Sequence, residues 1–224
     1  EIGFFDRYFE KGENWYRMNF PSKGNQNEEN SDRFKKITGE ATPTYIYHPH
    51  SPKRVSKLLK NIKLIVILRN PIDRAYSQYN MEANNHTNEK LTFEEAIEKE
   101  PERLEGEFEK MKNDENYFSH SYDAHAYVTT GIYADQLERW FEYFPREQFL
   151  IIKSEDFFEQ PNKIMNKVFD FLQISIFKQD KFEKFREGNY PSMKPETREK
   201  LVEFFKPHNK RLYELLGIDF GWDK

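Results

Sequence analysis

The feature that most constrains the fold is an apolar run, Ile62 to Leu68, that ends abruptly in Arg-Asn-Pro. The run is almost continuous in isoleucine, leucine and valine, which predicts a strand buried on both faces of a parallel sheet. Pro71 to Met81 predicts a helix directly after it, and Phe149 to Lys153 predicts a second buried strand. Strands that alternate with helices predict an α/β fold, with a parallel sheet flanked by helices.

Amphipathic patterns place further helices at 51–61, within 124–144, at 162–172 and at 194–216. Ser51 is the expected cap of the first, and Gly217 the expected end of the last. Residues 37–47 mix β-branched and aromatic side chains and predict a short strand. No repeat and no linker is evident, so residues 1–224 are expected to form a single domain.

The segment 84–120 is strongly charged, and we interpret it as a helical insertion into that domain. Its acidic run, Glu94 to Glu109, is expected to form a solvated helix face. The alternative is that this segment is a lid that borders a substrate site.

The composition excludes several classes of protein. The chain has 35 basic and 39 acidic residues, a balance that does not favour a general nucleic-acid binder. It contains no cysteine, which excludes disulfides and thiolate metal sites and fits a reducing compartment. No apolar run is long enough to span a membrane, no secretory signal is visible, and we expect a cytoplasmic location. His48 and His50 lack a third ligand, so no metal site is expected.

Arg69 lies at the carboxyl end of the first predicted strand, where open α/β sheets bind ligands. The helix that follows offers free backbone N–H groups at its start, and Ser77 lies on it. A guanidinium and a hydroxyl together suit a phosphate monoester. The residues alone leave an alternative open, in which Arg69 pairs with a carboxylate and Ser77 is an ordinary helix serine.

Four segments carry a resemblance to a known family: RNPIDRAYS (69–77), GEATPTY (39–45), GIYADQLERW (131–140) and NYPSMKPETREKL (189–201). Over nearly its whole length the chain resembles sulfotransferases that use 3′-phosphoadenosine-5′-phosphosulfate (PAPS), near the heparan sulfate N- and 3-O-sulfotransferase branch and its bacterial relatives. The resemblance implies a P-loop NTPase-like three-layer sandwich. It also implies that Arg69 and Ser77 hold the 3′-phosphate of the donor, with adenosine 3′,5′-bisphosphate (PAP) as product and no metal.

The same resemblance implies roles for four further positions. EIGFFD matches a segment whose glutamate is the catalytic base, which makes Glu1 the candidate base; the alternative is a terminal glutamate without a role. REGNYPSM matches a loop that closes over the donor, with Arg186 in place of the family's lysine and Gly188 in place of its arginine. Arg186 is either a phosphate contact or a solvated loop residue, and Tyr190 either packs beside the adenine or anchors the loop.

The loop that cradles the 5′-phosphosulfate in this family is absent from the sequence. The resemblance places it upstream of residue 1, so we expect a sulfotransferase domain without its first strand and its phosphosulfate loop; the alternative is a divergent member of the family. The implied acceptor is a hydroxyl or amine on a sugar, a carrier-bound group or a small metabolite. Gln136 stands where N-sulfotransferases have a histidine near the acceptor, so the acceptor need not be theirs.

Two other functions stay open at this point. One is another nucleotide-dependent transferase on the same fold, such as a kinase, which would require a phosphate loop with a Mg²⁺-binding serine or threonine. The other is a non-catalytic, sulfotransferase-like binding module that has lost its donor loop.

Overall fold

The computed structural model describes residues 1–21, 37–84, 89–177, 182 and 190–223. Its strands are β1 (Leu64–Leu68) and β2 (Phe149–Lys153). Its helices are α1 (Gly12–Arg17), α2 (Ser51–Leu58), α3 (Pro71–Asn84), α4 (Phe93–Leu104), α5 (Glu107–Asn113), α6 (His120–His125), α7 (Tyr133–Phe141), α8 (Ser154–Glu159), α9 (Pro161–Leu172) and α10 (Pro195–Leu216). Short 3₁₀ turns occupy Phe9–Lys11, Pro43–Ile46, Thr129–Gly131 and Arg146–Gln148.

The two strands pair in parallel, with Leu64 opposite Phe149 and Leu68 opposite Lys153. Since parallel neighbours run in the same direction, both strands end at the same edge of the sheet. One face packs on α7 and α10, where Leu68 joins a core with Leu137 and Leu212. Helix α9 packs against β2. The prediction of an α/β fold with a parallel sheet flanked by helices is confirmed.

Burial of both faces of β1 was predicted, and for this strand the prediction is wrong. Its side chains alternate, with Ile65 38% and Ile67 57% exposed while Leu68 is buried. A strand buried on both faces needs a covering layer on each side. Within the described part of the chain, that layer is incomplete over Ile65 and Ile67.

Two local predictions, for the start of α2 and for the segment before it, are also wrong. Ser51 does not cap α2, because its hydroxyl donates to the carbonyl of Phe5 instead. Residues 37–47 contain a 3₁₀ turn, Pro43–Ile46, and no strand. Both stretches pack against the chain's first residues, and this tertiary contact replaces their local preference. Gly217 does end α10 as predicted, with φ of 67° in the left-handed region that glycine favours.

Aromatic rings supply much of the core, as expected from a chain with 21 Phe and 13 Tyr. Phe4 and Phe5 are buried with Tyr16 and Trp140 in a cluster beneath α2 and α7. The rings of Phe4 and Tyr16 stack with centroids 4.6 Å apart. This cluster fixes the first six residues against the body of the domain.

The acidic segment is less exposed than predicted, although helices α4 and α5 do lie within it. Glu100 is only 2% exposed, and its carboxylate accepts the backbone N–H groups of Val128 (2.8 Å) and Thr129 (2.7 Å). Glu107 is buried and accepts from the hydroxyl of Ser119 at 2.6 Å. These carboxylates are therefore structural connections between α4, α5 and the following loop, rather than members of a solvated face.

Among the described helices, none combines the length and the apolar character that crossing a bilayer requires. The described His, Asp and Glu residues also form no group that could hold a metal ion.

We predict that Gly131→Ala destabilises the fold by about 1–3 kcal/mol, because overpacking a tight core site costs that much. A methyl group at Gly131 would lie 2.9 Å from Cζ of the buried Phe205 and 3.0 Å from Cβ of Pro71. Gly39→Ala is the matched control, since no atom lies within 4 Å of the methyl group it adds. Urea unfolding of both variants measures the difference, and equal midpoints would contradict the prediction.

A second prediction concerns acid stability. Burial disfavours the charged form of Glu89, but hydrogen bonds from Arg103, Leu91 N–H and Tyr127 outweigh it and lower the Glu89 pKa to about 2. A depressed carboxyl pKa stabilises the fold above the ordinary value near 4.5 and loses that contribution as the pH falls towards 2. Glu89→Gln should therefore flatten the fall in unfolding free energy across this pH window. The exposed Glu98→Gln should leave it unchanged in the same pH series.

Candidate functional site

The site begins where the two strands end. Asn70 caps α3: its side-chain oxygen accepts the N–H of Ile72 at 3.0 Å, and Pro71 takes the first helical position. The backbone N–H of Asn70 donates to the carboxylate of Glu155 at 2.8 Å, and Glu155 lies in the first turn of α8, two residues after the end of β2. This hydrogen bond joins the carboxyl ends of both strands.

Arg69 lies between β1 and this cap, with a half-buried side chain. Its carbonyl accepts from the hydroxyl of Tyr133 on α7 at 2.9 Å. No carboxylate of the described residues forms an ion pair with its guanidinium. The alternative of a strand-end arginine neutralised by a carboxylate therefore has no support in the described part of the chain, and the guanidinium is available to a ligand.

Ser77 lies seven residues after Asn70, two turns along α3 and on the same side of the helix. Its neighbour Tyr76 makes two contacts with the segment before α10. The hydroxyl of Tyr76 donates to the carbonyl of Pro191 at 2.9 Å, and the ring of Tyr190 meets that of Tyr76 edge-on with centroids 5.5 Å apart. These are the contacts of a loop anchor, one of the two roles predicted for Tyr190.

Arg186 and Gly188, the other positions predicted in this loop, lie outside the described residues. The segment that follows them is held by the first turn of α10. Arg198 pairs with Asp73 on α3, while Thr197 donates to Glu94 on α4 at 2.8 Å.

Asp73 and Arg74 do not pair with each other, because adjacent helical residues point in different directions. Asp73 pairs with Arg198 instead. Arg74 is partly buried, and one of its Nη groups donates to Gln78 at 2.8 Å and the other to the carbonyl of Tyr127. Burial lowers the pKa of Arg74. The second arginine of the motif therefore has a structural role, because it joins α3 to the loop after α6.

Glu1, the candidate base, is exposed, and the residues after it are held firmly. The N–H of Gly3 donates to the hydroxyl of Thr42 at 3.2 Å, and the N–H of Phe4 donates to the hydroxyl of Tyr45 at 2.8 Å. Glu40 accepts from both hydroxyls. Among the described residues, no hydrogen bond or ion pair joins Glu1 to Arg69 or Ser77.

Glu155 is the residue of this site that sequence reasoning missed. One carboxylate oxygen binds Asn70, and the other is buried without a hydrogen-bond partner among the described residues. A signal was present, because an acidic residue follows the second strand at the edge where Arg69 ends the first. The hydrogen bond itself could not be predicted, because its donor is a backbone N–H and every residue other than proline has one.

Comparison with known proteins identifies relatives along almost the whole chain. Residues 14–211 match the family described as Sulfotransferase domain. Human "Heparan sulfate glucosamine 3-O-sulfotransferase 3B1" is 31% identical over 251 residues, covering 100% of this chain and 57% of that protein. "Membrane-associated sulfotransferase kil1" of Dictyostelium discoideum is 27% identical, covering 99% of this chain and 59% of that protein. The chain thus spans less than two thirds of the length of these relatives.

A solved structure, that of a sulfotransferase from Alicyclobacillus acidocaldarius, has the same fold. It is 31% identical, superposes with a TM-score of 0.66, and the match covers 83% of this chain and 67% of that one. The predicted α/β, P-loop-like sulfotransferase fold is confirmed by this likeness.

We predict that Asn70→Ala destabilises the protein by about 1 kcal/mol, since it removes the side-chain cap of α3. Asn84→Ala is the matched control, because Asn84 is exposed at the opposite end of the same helix. Chemical unfolding of the two variants tests this prediction. A similar loss in both would mean that the cap contributes nothing.

Proposed function

The chain belongs to the sulfotransferase domain family, and from this premise we propose that it moves the sulfuryl group of PAPS to a hydroxyl or amine. The nucleotide product is then PAP. The proposal assigns Arg69 and Ser77 to the 3′-phosphate of the donor.

The observation that carries the proposal is the set of groups at the sheet edge. Arg69 offers, at the end of a parallel strand, a guanidinium without an ion-pair partner among the described residues, and the start of α3 adds the positive end of its dipole. Ser77 adds a neutral donor on the side of α3 that carries the cap. A phosphate monoester matches this set, since it can accept a bidentate arginine contact and further hydrogen bonds together. These cationic and dipolar groups meet the donor's charge, so the proposal assigns no metal.

The loop before α10 supports the same assignment. Tyr190 and Pro191 attach this loop to Tyr76, the neighbour of Ser77. We propose that Arg186 and Gly188, which lie outside the described residues, belong to the part of the loop that covers the donor. Tyr190 holds that part against α3.

Glu1 is proposed as the base that removes a proton from the acceptor as it attacks sulfur. Its carboxylate is exposed, while the hydrogen bonds of Gly3 and Phe4 fix the backbone just after it. Transfer also requires charge stabilisation on the sulfuryl oxygens and alignment of the acceptor with the leaving group.

We propose that a further segment of the parent protein supplies the 5′-phosphosulfate loop together with a strand. The exposed side chains of Ile65 and Ile67 support this, because a strand and helix added there would bury them. The segment 84–120 remains a proposed insertion into the domain.

The acceptor class is proposed as a sugar, a carrier-bound group or a small metabolite. The name of the human relative specifies heparan sulfate glucosamine, and that of the Dictyostelium relative specifies membrane association. Both are properties of those proteins. A cytoplasmic location for this protein likewise stays a proposal.

We predict that the full-length protein binds PAP more than about tenfold more tightly than adenosine 5′-monophosphate, since the 3′-phosphate adds charge-assisted hydrogen bonds. Arg69→Gln should abolish the preference, and Ser77→Ala should reduce it. Isothermal titration calorimetry measures both ligands.

Arg146→Gln is the matched control, because the Arg146 guanidinium stacks on Phe141 at 3.6 Å, away from the strand ends. Equal affinities for the two nucleotides, or a preference that survives Arg69→Gln, would overturn the assignment. Binding without any transfer from PAPS would favour the non-catalytic module, and Mg²⁺-dependent phosphoryl transfer would favour the kinase alternative.

A further inference from the structure

One peptide unit at the strand tip is held at both of its ends by side chains. The unit joins Arg69 to Asn70, and its carbonyl oxygen accepts from the hydroxyl of Tyr133 on α7 at 2.9 Å. Its N–H group donates to the carboxylate of Glu155 on α8 at 2.8 Å. Because a peptide unit is planar, hydrogen bonds at its two opposite ends fix its orientation. They fix ψ of Arg69 and φ of Asn70 together.

The two holding groups make no other side-chain hydrogen bond in the described part of the chain. Tyr133 is 5% exposed, and a buried phenol needs a partner for its hydroxyl. Burial raises the pKa of Tyr133 to about 12, so the phenol keeps its proton and remains a donor at neutral pH. The second carboxylate oxygen of Glu155 is buried and has no hydrogen-bond partner among the described residues. Each group therefore serves this one peptide unit.

The position of the Arg69 side chain depends on this backbone. The pairing of the two strands extends only to Leu68, opposite Lys153, so the ladder ends before Arg69. No hydrogen bond or ion pair with a described residue holds the guanidinium itself. The direction of the Cα–Cβ bond is therefore set by the strand on one side and by the held peptide unit on the other. A small rotation of the backbone displaces the guanidinium most, because it lies at the far end of the side chain.

The simpler alternative is that Tyr133 and Glu155 only satisfy two backbone groups that lie beyond the ladder. Removal of such a structural bond lowers the stability of the fold and leaves the selectivity between ligands unchanged. The location of the unit favours a further role. Side chains from two different helices meet on the one peptide unit that follows Arg69.

From this arrangement we infer that Tyr133 and Glu155 are positioning residues of the donor site. They hold the Arg69–Asn70 peptide unit so that the guanidinium of Arg69 is directed to the 3′-phosphate before the nucleotide binds. A group that is already positioned loses less freedom on binding, which increases affinity. The inference rests on the proposed function, in which Arg69 binds that phosphate, and it adds two residues that act through Arg69.

Calorimetry on the full-length protein, with PAP and adenosine 5′-monophosphate as ligands, tests this inference. Tyr133→Phe deletes only the hydroxyl, and it should weaken PAP binding about three- to tenfold. The affinity for adenosine 5′-monophosphate should stay unchanged, because this nucleotide has no 3′-phosphate. Glu155→Ala should have the same effect. Glu155→Gln should restore part of the PAP affinity, since an amide oxygen can still accept from the N–H of Asn70.

Two control variants remove similar groups elsewhere. Tyr79→Phe is matched to Tyr133→Phe, because the hydroxyl of Tyr79 also donates to a backbone carbonyl, that of Leu91, at 2.9 Å. Asp156→Ala removes the exposed carboxylate next to Glu155 on α8. Both controls should leave the ratio of the two affinities unchanged. Thermal unfolding confirms that each variant is folded, and should Glu155→Ala fail to fold, Tyr133→Phe decides.

A double-mutant cycle shows whether Tyr133 acts through Arg69. In an Arg69→Gln background, Tyr133→Phe should no longer change the affinity for PAP. An equal loss with and without Arg69 would overturn the inference and leave Tyr133 a purely structural role.

The inference and the proposed function fail in different ways. A native preference for PAP that requires Arg69 but survives both Tyr133→Phe and Glu155→Ala overturns the inference alone. A native protein that binds both nucleotides equally overturns the proposed function, and the inference with it.

Discussion

The hydrogen bond from the Asn70 backbone to Glu155 is the interaction on which the site depends. It joins the two strand ends at one sheet edge, while the Asn70 side chain starts α3 immediately beside it. Because one residue serves both purposes, the position of the strand tip and the direction of the helix are fixed together. Arg69 is held between them, and α7 secures its carbonyl through Tyr133. The result is a firmly held backbone that presents a half-buried cationic side chain.

A second theme is the use of buried carboxylates as connectors. Glu100 binds two successive backbone N–H groups, Glu107 binds Ser119, and Glu89 pairs with Arg103. Glu100 satisfies two N–H groups of the loop between α6 and α7 that would otherwise be buried unsatisfied, while Glu89 and Glu107 join segments through side-chain partners. Only 37% of the residues are hydrophobic. The chain folds because aromatic rings fill the core and buried carboxylates hold the loops around it.

The regular elements and the strand-tip motif were predictable. The limits of β2 coincide with the predicted ones, and α9 and α10 each begin within one residue of their predicted starts. Less predictable were the partners of polar groups. Asp73 forms an ion pair with Arg198, which is 125 residues away in the sequence. Ser51 donates to the carbonyl of Phe5 instead of capping its helix. The exposure of Ile67 also escaped prediction, because an apolar strand looks the same whether or not a neighbour covers it.

By itself, the sequence determined the α/β class and the groups at the strand tip, since these follow from periodicity and from the spacing of a few side chains along one element. The resemblance of four segments to known motifs indicated the family. The tertiary structure decided which carboxylates are buried and which cations lack a counter-charge. It alone brought Tyr133 and Glu155 to the two ends of one peptide unit. The physical reason is that burial and pairing depend on which distant segments of the chain come into contact. Hydrogen bonds to backbone groups, moreover, cannot be predicted from the pattern of side chains.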